Sequence, residues 1–326
     1  VSLAETLRRW DTFSHFRPDQ LETLAGCLAR TRYPEGVAVL QQGDATFDAY
    51  LIAEGTVTIR RNTPYGHYTL ARLDPGSLFG ETAFVDRETR SGDAYTDAPT
   101  ELVGFNPVTL RPLLDQDPHL ALALYWTFWK SLSEKLRRTN ERLEQFFSEG
   151  GTPQGAAPTS TGAETEAQFR VDMASKRKLF EEQRLSTLEI NFLTSLSQER
   201  KLGPGEVLFH EGDAGDTMYV VLEGQIMISK NIPGAGDEAL AFLERGDYFG
   251  EMALIDNKPR SADARAHDRG AVVLAIPGDV LSGILDIQKV SSLRLLKILC
   301  TLVAKRLREL DDKLVGWFIL AGGGQG

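Results

Sequence analysis

Two stretches of this chain are versions of one another, and that constrains the fold more than any local pattern. Val39-Leu40-Gln41-Gln42-Gly43-Asp44-Ala45 returns as Leu208-Phe209-His210-Glu211-Gly212-Asp213-Ala214 at an offset of 169, with Tyr50 falling on Tyr219 and Glu54-Gly55 on Glu223-Gly224. At an offset of 170, Phe79-Gly80-Glu81 falls on Phe249-Gly250-Glu251, Ala83 on Ala253, Asp86 on Asp256 and Arg90-Ser91 on Arg260-Ser261. At 171, Leu102-Val103-Gly104-Phe105 meets Val273-Leu274-Ala275-Ile276. Register drifts of one residue are what loops between paired strands absorb. A period this long is a duplicated domain, not a solenoid, whose units run about 20–50 residues.

Between the copies, Ser148 to Gln168 holds no aromatic residue and no aliphatic residue larger than alanine. Such a segment cannot bury a core and reads as a flexible linker. The expected organisation is a first domain at 1–147, a linker at 148–168, a second domain at 169–314 and a tail at 315–326. The length of 326 residues suits two domains. Charge is shared evenly: 16 basic and 21 acidic residues up to Glu149, 20 and 25 after it, so each part carries −5 of the total −10. Neither half looks like a dedicated nucleic-acid-binding domain, which is usually basic. Cys27 and Cys300 stand far apart with no CxxC, giving neither a disulfide framework nor a zinc site and fitting a reducing cytoplasm. No apolar run is long enough to span a membrane. The opening Val1-Ser2-Leu3-Ala4-Glu5 is no signal peptide, and the missing initiator Met suggests a trimmed or partial chain.

Each copy reads as helix, many short strands, then helix. Tyr50 to Arg60 and Met218 to Ser229 read as strand, Glu-Gly turn, strand, with Val57-Thr58-Ile59 and Ile226-Met227-Ile228 supplying strand formers. Short strands between Gly-Asp and Asp-Pro-Gly turns predict an antiparallel roll or barrel. A closing helix is expected from about Pro118 to Phe147, with Tyr125, Phe128, Leu132, Leu136, Leu143 and Phe146 on one face and Lys135 and Thr139 interrupting it. The second is expected from about Val290 to Leu314. Its Leu293, Leu296, Cys300, Val303, Leu307, Leu310 and Leu314 make a heptad seam suited either to a homodimer through 290–314, the favoured expectation, or to packing on its own roll.

The sharpest local signal is Phe249-Gly250-Glu251-Met252-Ala253-Leu254 followed by Pro259-Arg260-Ser261-Ala262. Gly250 and Ala253 leave backbone N–H groups unshielded, and a short helical turn after Gly250 would aim them at one anion. Arg260 adds a permanent charge and a planar fork suited to phosphate. Ser261 adds a hydroxyl donor. Glu251 is repelled by a phosphate but can accept from a sugar hydroxyl, unless it simply pairs with Arg260. A ligand with one phosphate and a free ribose hydroxyl meets both requirements. The first copy carries Gly80, Glu81, Thr82, Ala83, then Arg90 and Ser91 at the same places.

On these residues both copies resemble the cyclic nucleotide-binding domain family, whose pattern is FGE-x-A, a short spacer, then (P)-R-(S/T/A)-A. The resemblance covers nearly all of the chain outside the linker and the last dozen residues. It implies a mainly β fold with flanking helices: two β-rolls of the double-stranded β-helix or jelly-roll type, each closed by a C-terminal α-helix. It also implies that Gly250, Met252 and Ala253 lie against a cyclic phosphate, that Arg260 binds the phosphate, and that Glu251 takes the ribose 2′-hydroxyl. Gly205, Gly212 and Gly224 match the family's turn glycines. The first copy departs at Thr89, where the family has proline, at Gly92 in place of alanine, and at the bulky Phe84. Thr89 would loosen the cassette, because proline fixes the backbone before the arginine.

The five His, at 15, 67, 119, 210 and 267, form no metal or catalytic motif, and there is no GxSxG or P-loop. Binding, not catalysis, is the expected activity, with no metal required. The ligand expected is cyclic AMP, or else cyclic GMP, and an unidentified effector protein would read the state of the closing helices. Arg8-Arg9-Trp10-Asp11-Thr12 is a poor match for a kinase-inhibiting segment, and Arg137-Arg138-Thr139 reads as helix surface. Arg294, Lys297, Lys305, Arg306 and Arg308 read as a solvated helix face. Two other readings stand beside the sensor. One is a ligand-independent scaffold of degenerate rolls. The other is a transcription regulator like the catabolite activator proteins, whose DNA-binding module the dozen residues after Leu314 cannot supply.

Overall fold

The computed structural model describes residues 2–149, 173–182, 187–232, 236–252, 254 and 258–320. The expected linker lies outside these except for its first two residues, which end a helix. The chain divides into two compact units, Val1–Lys135 with Leu299–Gly326, and Leu136–Ile298. Each unit therefore holds one roll and part of the helix that follows the other.

In the first unit, α1 (Leu3–Arg8) is started by a capping box. The Glu5 N–H donates to Ser2 Oγ at 3.1 Å and the Ser2 N–H to Glu5 Oε2 at 2.8 Å. Helix α2 (Pro18–Ala25) opens with proline at its first turn, where the missing N–H has no cost. Strands β1 (Ala29–Tyr33), β2 (Ala38–Leu40), β3 (Ala49–Glu54), β4 (Val57–Thr63), β5 (Gly66–Leu73) and β6 (Leu78–Phe79) lead to α3 (Glu81–Asp86). Then come β7 (Asp93–Thr96), β8 (Thr100–Phe105), α4 (Pro107–Gln116) and α5 (Pro118–Glu149). The strands make two antiparallel four-stranded sheets, β1-β8-β3-β6 and β2-β7-β4-β5.

Both faces of β3 and β8 are covered, so both alternating sets are apolar. Ile52 and Leu102 join Leu40, Val57, Leu73 and Phe79 inside roll A. Leu51 and Val103 face the other way, packed with Leu21 and Leu24 of α2 and Leu124 and Phe128 of α5.

The second unit carries α6 (Met173–Glu182), α7 (Thr187–Leu196), β9 (Gln198–Leu202), β10 (Val207–Phe209), β11 (Thr217–Ile232), β12 (Gly236–Leu243), β13 (Tyr248–Phe249) and β14 (Asp263–Pro277). Helices α8 (Gly278–Ile284) and α9 (Leu293–Leu320) follow. Among the described residues roll B repeats the strand order of roll A, but β11 and β14 are continuous where roll A has β3 and β4, and β7 and β8. The strands bend at bulges between Val221 and Glu223 and between Gly224 and Ile226. The corner needs glycine in both copies. A Cβ on Gly224 (φ 74°) would lie 2.2 Å from the Gly270 carbonyl oxygen, and one on Gly55 (φ 85°) 2.4 Å from Thr100 Oγ1. Tyr219, Val221, Ile226, Phe249, Val273 and Ala275 fill the interior of roll B.

Two expectations about the last helix change. The tail expected from residue 315 is helical as far as Leu320, because Val315 packs with Tyr68 and Leu70, and Phe318 stacks on Tyr68 at 5.9 Å. The seam expected to pair two copies is covered without a second copy: Leu296, Cys300, Val303, Leu307, Leu310 and Leu314 are all buried within one chain. The Cys300 thiol donates to the Tyr125 carbonyl at 3.3 Å, and its burial pushes its pKa up.

Candidate functional site

In roll A, β6 is followed by Gly80, which is left-handed (φ 77°) and caps the start of α3. A Cβ there would lie 2.7 Å from the Asp48 carbonyl oxygen and 3.0 Å from Arg90 Nη1, so the close approach also requires glycine. Arg90 uses this space. Its Nη1 donates to the Gly80 carbonyl at 3.0 Å, its Nη2 to the Asp48 carbonyl at 2.7 Å and its Nε to Thr46 Oγ1 at 3.0 Å. Only 4% of Arg90 is exposed, and every one of these acceptors is neutral. Burial pulls its pKa down, with Tyr50 and Asp48 opposing, yet an arginine starts so high that it stays charged. The result is a desolvated cation without a paired carboxylate.

Glu81, the first residue of α3, is fully buried. Its Oε1 accepts from Ser131 Oγ at 2.9 Å and ion-pairs with Lys135 Nζ, both on α5 and one turn apart. Its Oε2 is buried with no hydrogen-bond partner. Thr82 is half-buried and Ala83 buried, its carbonyl accepting the Arg87 N–H at 3.2 Å. Ser91 is half-buried, and its carbonyl accepts from Arg61.

Roll B repeats the core of this geometry. Gly250 (φ 78°) leaves no room for a Cβ, which would lie 2.7 Å from Arg260 Nη1. Arg260 donates from Nη1 to the Gly250 carbonyl and from Nη2 to the Thr217 carbonyl, each at 2.7 Å. Its guanidinium lies 4.3 Å from the Phe209 ring centroid and 5.8 Å from that of Tyr219, a cation–π shelf. Its Nε is buried with no partner. The residue equivalent to Thr46 is Gly215, which has no hydroxyl to offer. Burial pulls the Arg260 pKa down, with Tyr219 and Glu251 opposing. Glu251 and Met252 are buried, and Ser261 Oγ donates to Met252 Sδ at 3.8 Å. Ala253 lies outside the described residues. Among the described residues no carboxylate forms an ion pair with Arg90 or Arg260, so the alternative of a simple Glu251–Arg260 pair is not what the fold makes.

The family described as "Cyclic nucleotide-binding domain" matches residues 30–117 and again 199–288. The chain belongs to that family. It is similar to the cAMP-dependent protein kinase regulatory subunit of Mycosarcoma maydis, 24% identical over 266 residues, which are 78% of this chain and 42% of that protein. It is also similar to the Cyclic AMP receptor protein of Thermus thermophilus, 32% identical over 130 residues, 40% of this chain and 58% of that one. Among solved structures it matches the regulatory domain of Toxoplasma gondii PKA with cAMP, at 17% identity and a TM-score of 0.33, over 88% of this chain and 92% of that one. The chain spans about half the length of the kinase regulatory subunits it matches, between 42% and 52% in three fungal ones.

Set against the family pattern, two departures have physical reasons. Gly92 replaces alanine because a Cβ there would meet the Arg60 carbonyl oxygen at 2.6 Å. Phe84 is bulky because it packs edge-on against Phe128 of α5, with centroids 4.9 Å apart. Two surface readings need correcting. Arg308 is no solvated cation: it pairs with Asp86 at 2.6 Å and its side chain is 17% exposed. Arg137 is buried and donates to the Pro259 carbonyl at 3.1 Å, because these helices carry their charged faces onto the rolls. Arg294, Lys297 and Lys305 are exposed as expected. Sequence reasoning missed Thr46, Ser131 and Lys135 as partners of the cassette. Lys135 left one signal, its interruption of an otherwise apolar helix face.

Proposed function

We propose that this chain is a sensor that binds a cyclic nucleotide in one or both cassettes and passes occupancy to a partner protein through its closing helices. Its activity is binding, not catalysis. A buried guanidinium with only neutral partners carries this reading, beside a buried carboxylate one residue after the glycine. Such a cation favours an anion small enough to reach it, and a cyclic phosphate is one. In roll B the unpartnered Nε of Arg260 can donate to a phosphate oxygen, beside Gly250, Met252 and Ser261. In roll A the unpartnered Oε2 of Glu81 can accept from a ribose hydroxyl. Glu251 has the equivalent role in roll B. Gly80, Thr82, Ala83 and Ser91 line the Arg90 phosphate position.

Cyclic AMP is the preferred ligand, and cyclic GMP the comparison. A ligand moves the protein only through its different affinity for two states. At 100 times its dissociation constant it stabilises the binding state by about 2.7 kcal/mol. Phe84 against Phe128, and Glu81 against Ser131 and Lys135, are the contacts through which cassette A touches α5. No helix among the described residues is long and apolar enough to cross a membrane, which suits a cytoplasmic sensor. Calorimetry with cyclic AMP and cyclic GMP tests the reading. Two saturable steps at micromolar or tighter affinity are expected for one of them. Absence of binding below about millimolar for both would leave the ligand-independent scaffold as the reading.

A further inference from the structure

The backbone just before each cassette arginine is held by an arginine from elsewhere in the chain. In the first unit, Arg308 Nε and Nη2 donate to the two oxygens of Asp86 at 2.6 and 3.1 Å, and Nη1 donates to the Thr89 carbonyl at 2.9 Å. Asp86 is the last residue of α3 and Thr89 immediately precedes Arg90. One guanidinium therefore spans the spacer from end to end. Its pairing is bidentate and mostly shielded, with side-chain exposures of 17% and 6%. The spacer needs holding: Arg87 within it is left-handed (φ 62°), which side-chain-bearing residues disfavour. On the other side of Arg90, Arg61 donates to the Ser91 carbonyl and pairs with Asp312, one helical turn beyond Arg308. In the second unit the equivalent carbonyl, that of Pro259, accepts from Arg137 of α5.

We propose that Arg308 is a positioning residue for cassette A. It does for Thr89 what the proline ring does for Pro259, fixing the backbone that presents Arg90 to a phosphate, and so makes the affinity of cassette A depend on the docking of α9. Arg137 is its counterpart at cassette B, where proline already restricts the backbone. The inference rests on the cyclic-nucleotide reading of cassette A for its functional consequence. By linkage, a ligand that requires the ordered spacer favours docked α9 by the same factor that docked α9 favours the ligand.

The test uses the full chain with R260A, which silences cassette B, as background. Two measurements are made: amide hydrogen exchange across residues 86–92 without ligand, and calorimetric titration with cyclic AMP. R308Q is expected to speed exchange in that segment and to weaken binding about tenfold. R308K keeps the charge but loses the fork, and is expected to weaken binding about threefold, which serves should R308Q fail to fold. T89P added to R308Q is expected to restore most of the affinity, a rescue that a merely structural role would not give. Unchanged exchange in R308Q, or in R308K where R308Q does not fold, overturns the inference. So does a loss of affinity that T89P leaves untouched. If the R260A chain binds no cyclic nucleotide, the reading of cassette A as a ligand site fails, and the exchange measurement still decides whether Arg308 orders the spacer.

Discussion

Arg90 and Arg260 occupy equivalent corners and donate to equivalent carbonyls, but their Nε groups meet different surroundings. In roll A, Thr46 accepts from Nε at 3.0 Å. In roll B the equivalent residue is glycine, and Nε is buried without a partner above the Phe209 and Tyr219 rings. Glu81 is tied on one oxygen to Ser131 and Lys135, leaving the other unpartnered. Cassette B thus keeps more donor capacity for an anion than cassette A does. The presence of the arginine and the glutamate does not by itself rank two copies of a site. What ranks them is how much of each group's hydrogen-bonding capacity the protein has already used.

Removing the cation is the largest perturbation and the one most able to break the comparison. R260A is expected to weaken one calorimetric step by about 100-fold or more, and R90A the other, since each removes a desolvated charge from its anion. Each variant should leave the remaining step in place. If the parent chain shows a single step that R260A removes and R90A leaves unchanged, cassette A is a packing domain and its satisfied arginine is structural.

The parts of this architecture that were legible in the sequence are those set by neighbours in the chain. The Gly-Asp turns and the Glu-Gly corners at Gly55 and Gly224 follow from local backbone needs. The merging of strands in roll B was not legible, because glycine serves equally to break a strand and to bend one. The extension of α9 beyond Leu314 depends on Tyr68 and Leu70, which lie in another part of the chain. From the sequence alone, Arg308 and Arg137 are helix surface and Lys135 is a flaw in a stripe. Periodicity reports the direction of a residue around its own helix, and says nothing of a carboxylate or carbonyl far away in sequence that meets it there.

The closing helices sharpen the same comparison at smaller magnitude. Lys135 reaches Glu81, whereas Lys305, at the repeat offset, is exposed and only approaches Glu309 at 3.9 Å. K135M leaves a fully buried carboxylate with one hydroxyl partner, and is expected to destabilise the first unit by about 2 kcal/mol, somewhat less than a fully buried pair because Lys135 is partly solvated. E81Q added to K135M should recover part of that loss by removing the unpaired charge. K305M is expected to change stability by less than about 0.5 kcal/mol. Chemical denaturation of the three variants measures this, and equal effects of K135M and K305M would contradict the asymmetry.

The smallest expected effect isolates the difference at Nε. T46A removes the acceptor of Arg90 Nε and gives cassette A the unpartnered donor that cassette B has. Without ligand the change leaves a buried N–H unsatisfied, so stability should fall by about 1 kcal/mol. With ligand the sign reverses. In the parent protein a phosphate oxygen must compete with Thr46 for Nε, whereas in T46A it meets a donor whose desolvation has already been incurred. Affinity for cyclic AMP, measured by calorimetry in the R260A background, should therefore rise about threefold while the melting temperature of the free protein falls. A fall in both would mean that Thr46 supports the ligand directly, and the unpartnered Nε of Arg260 would then not account for any advantage of cassette B.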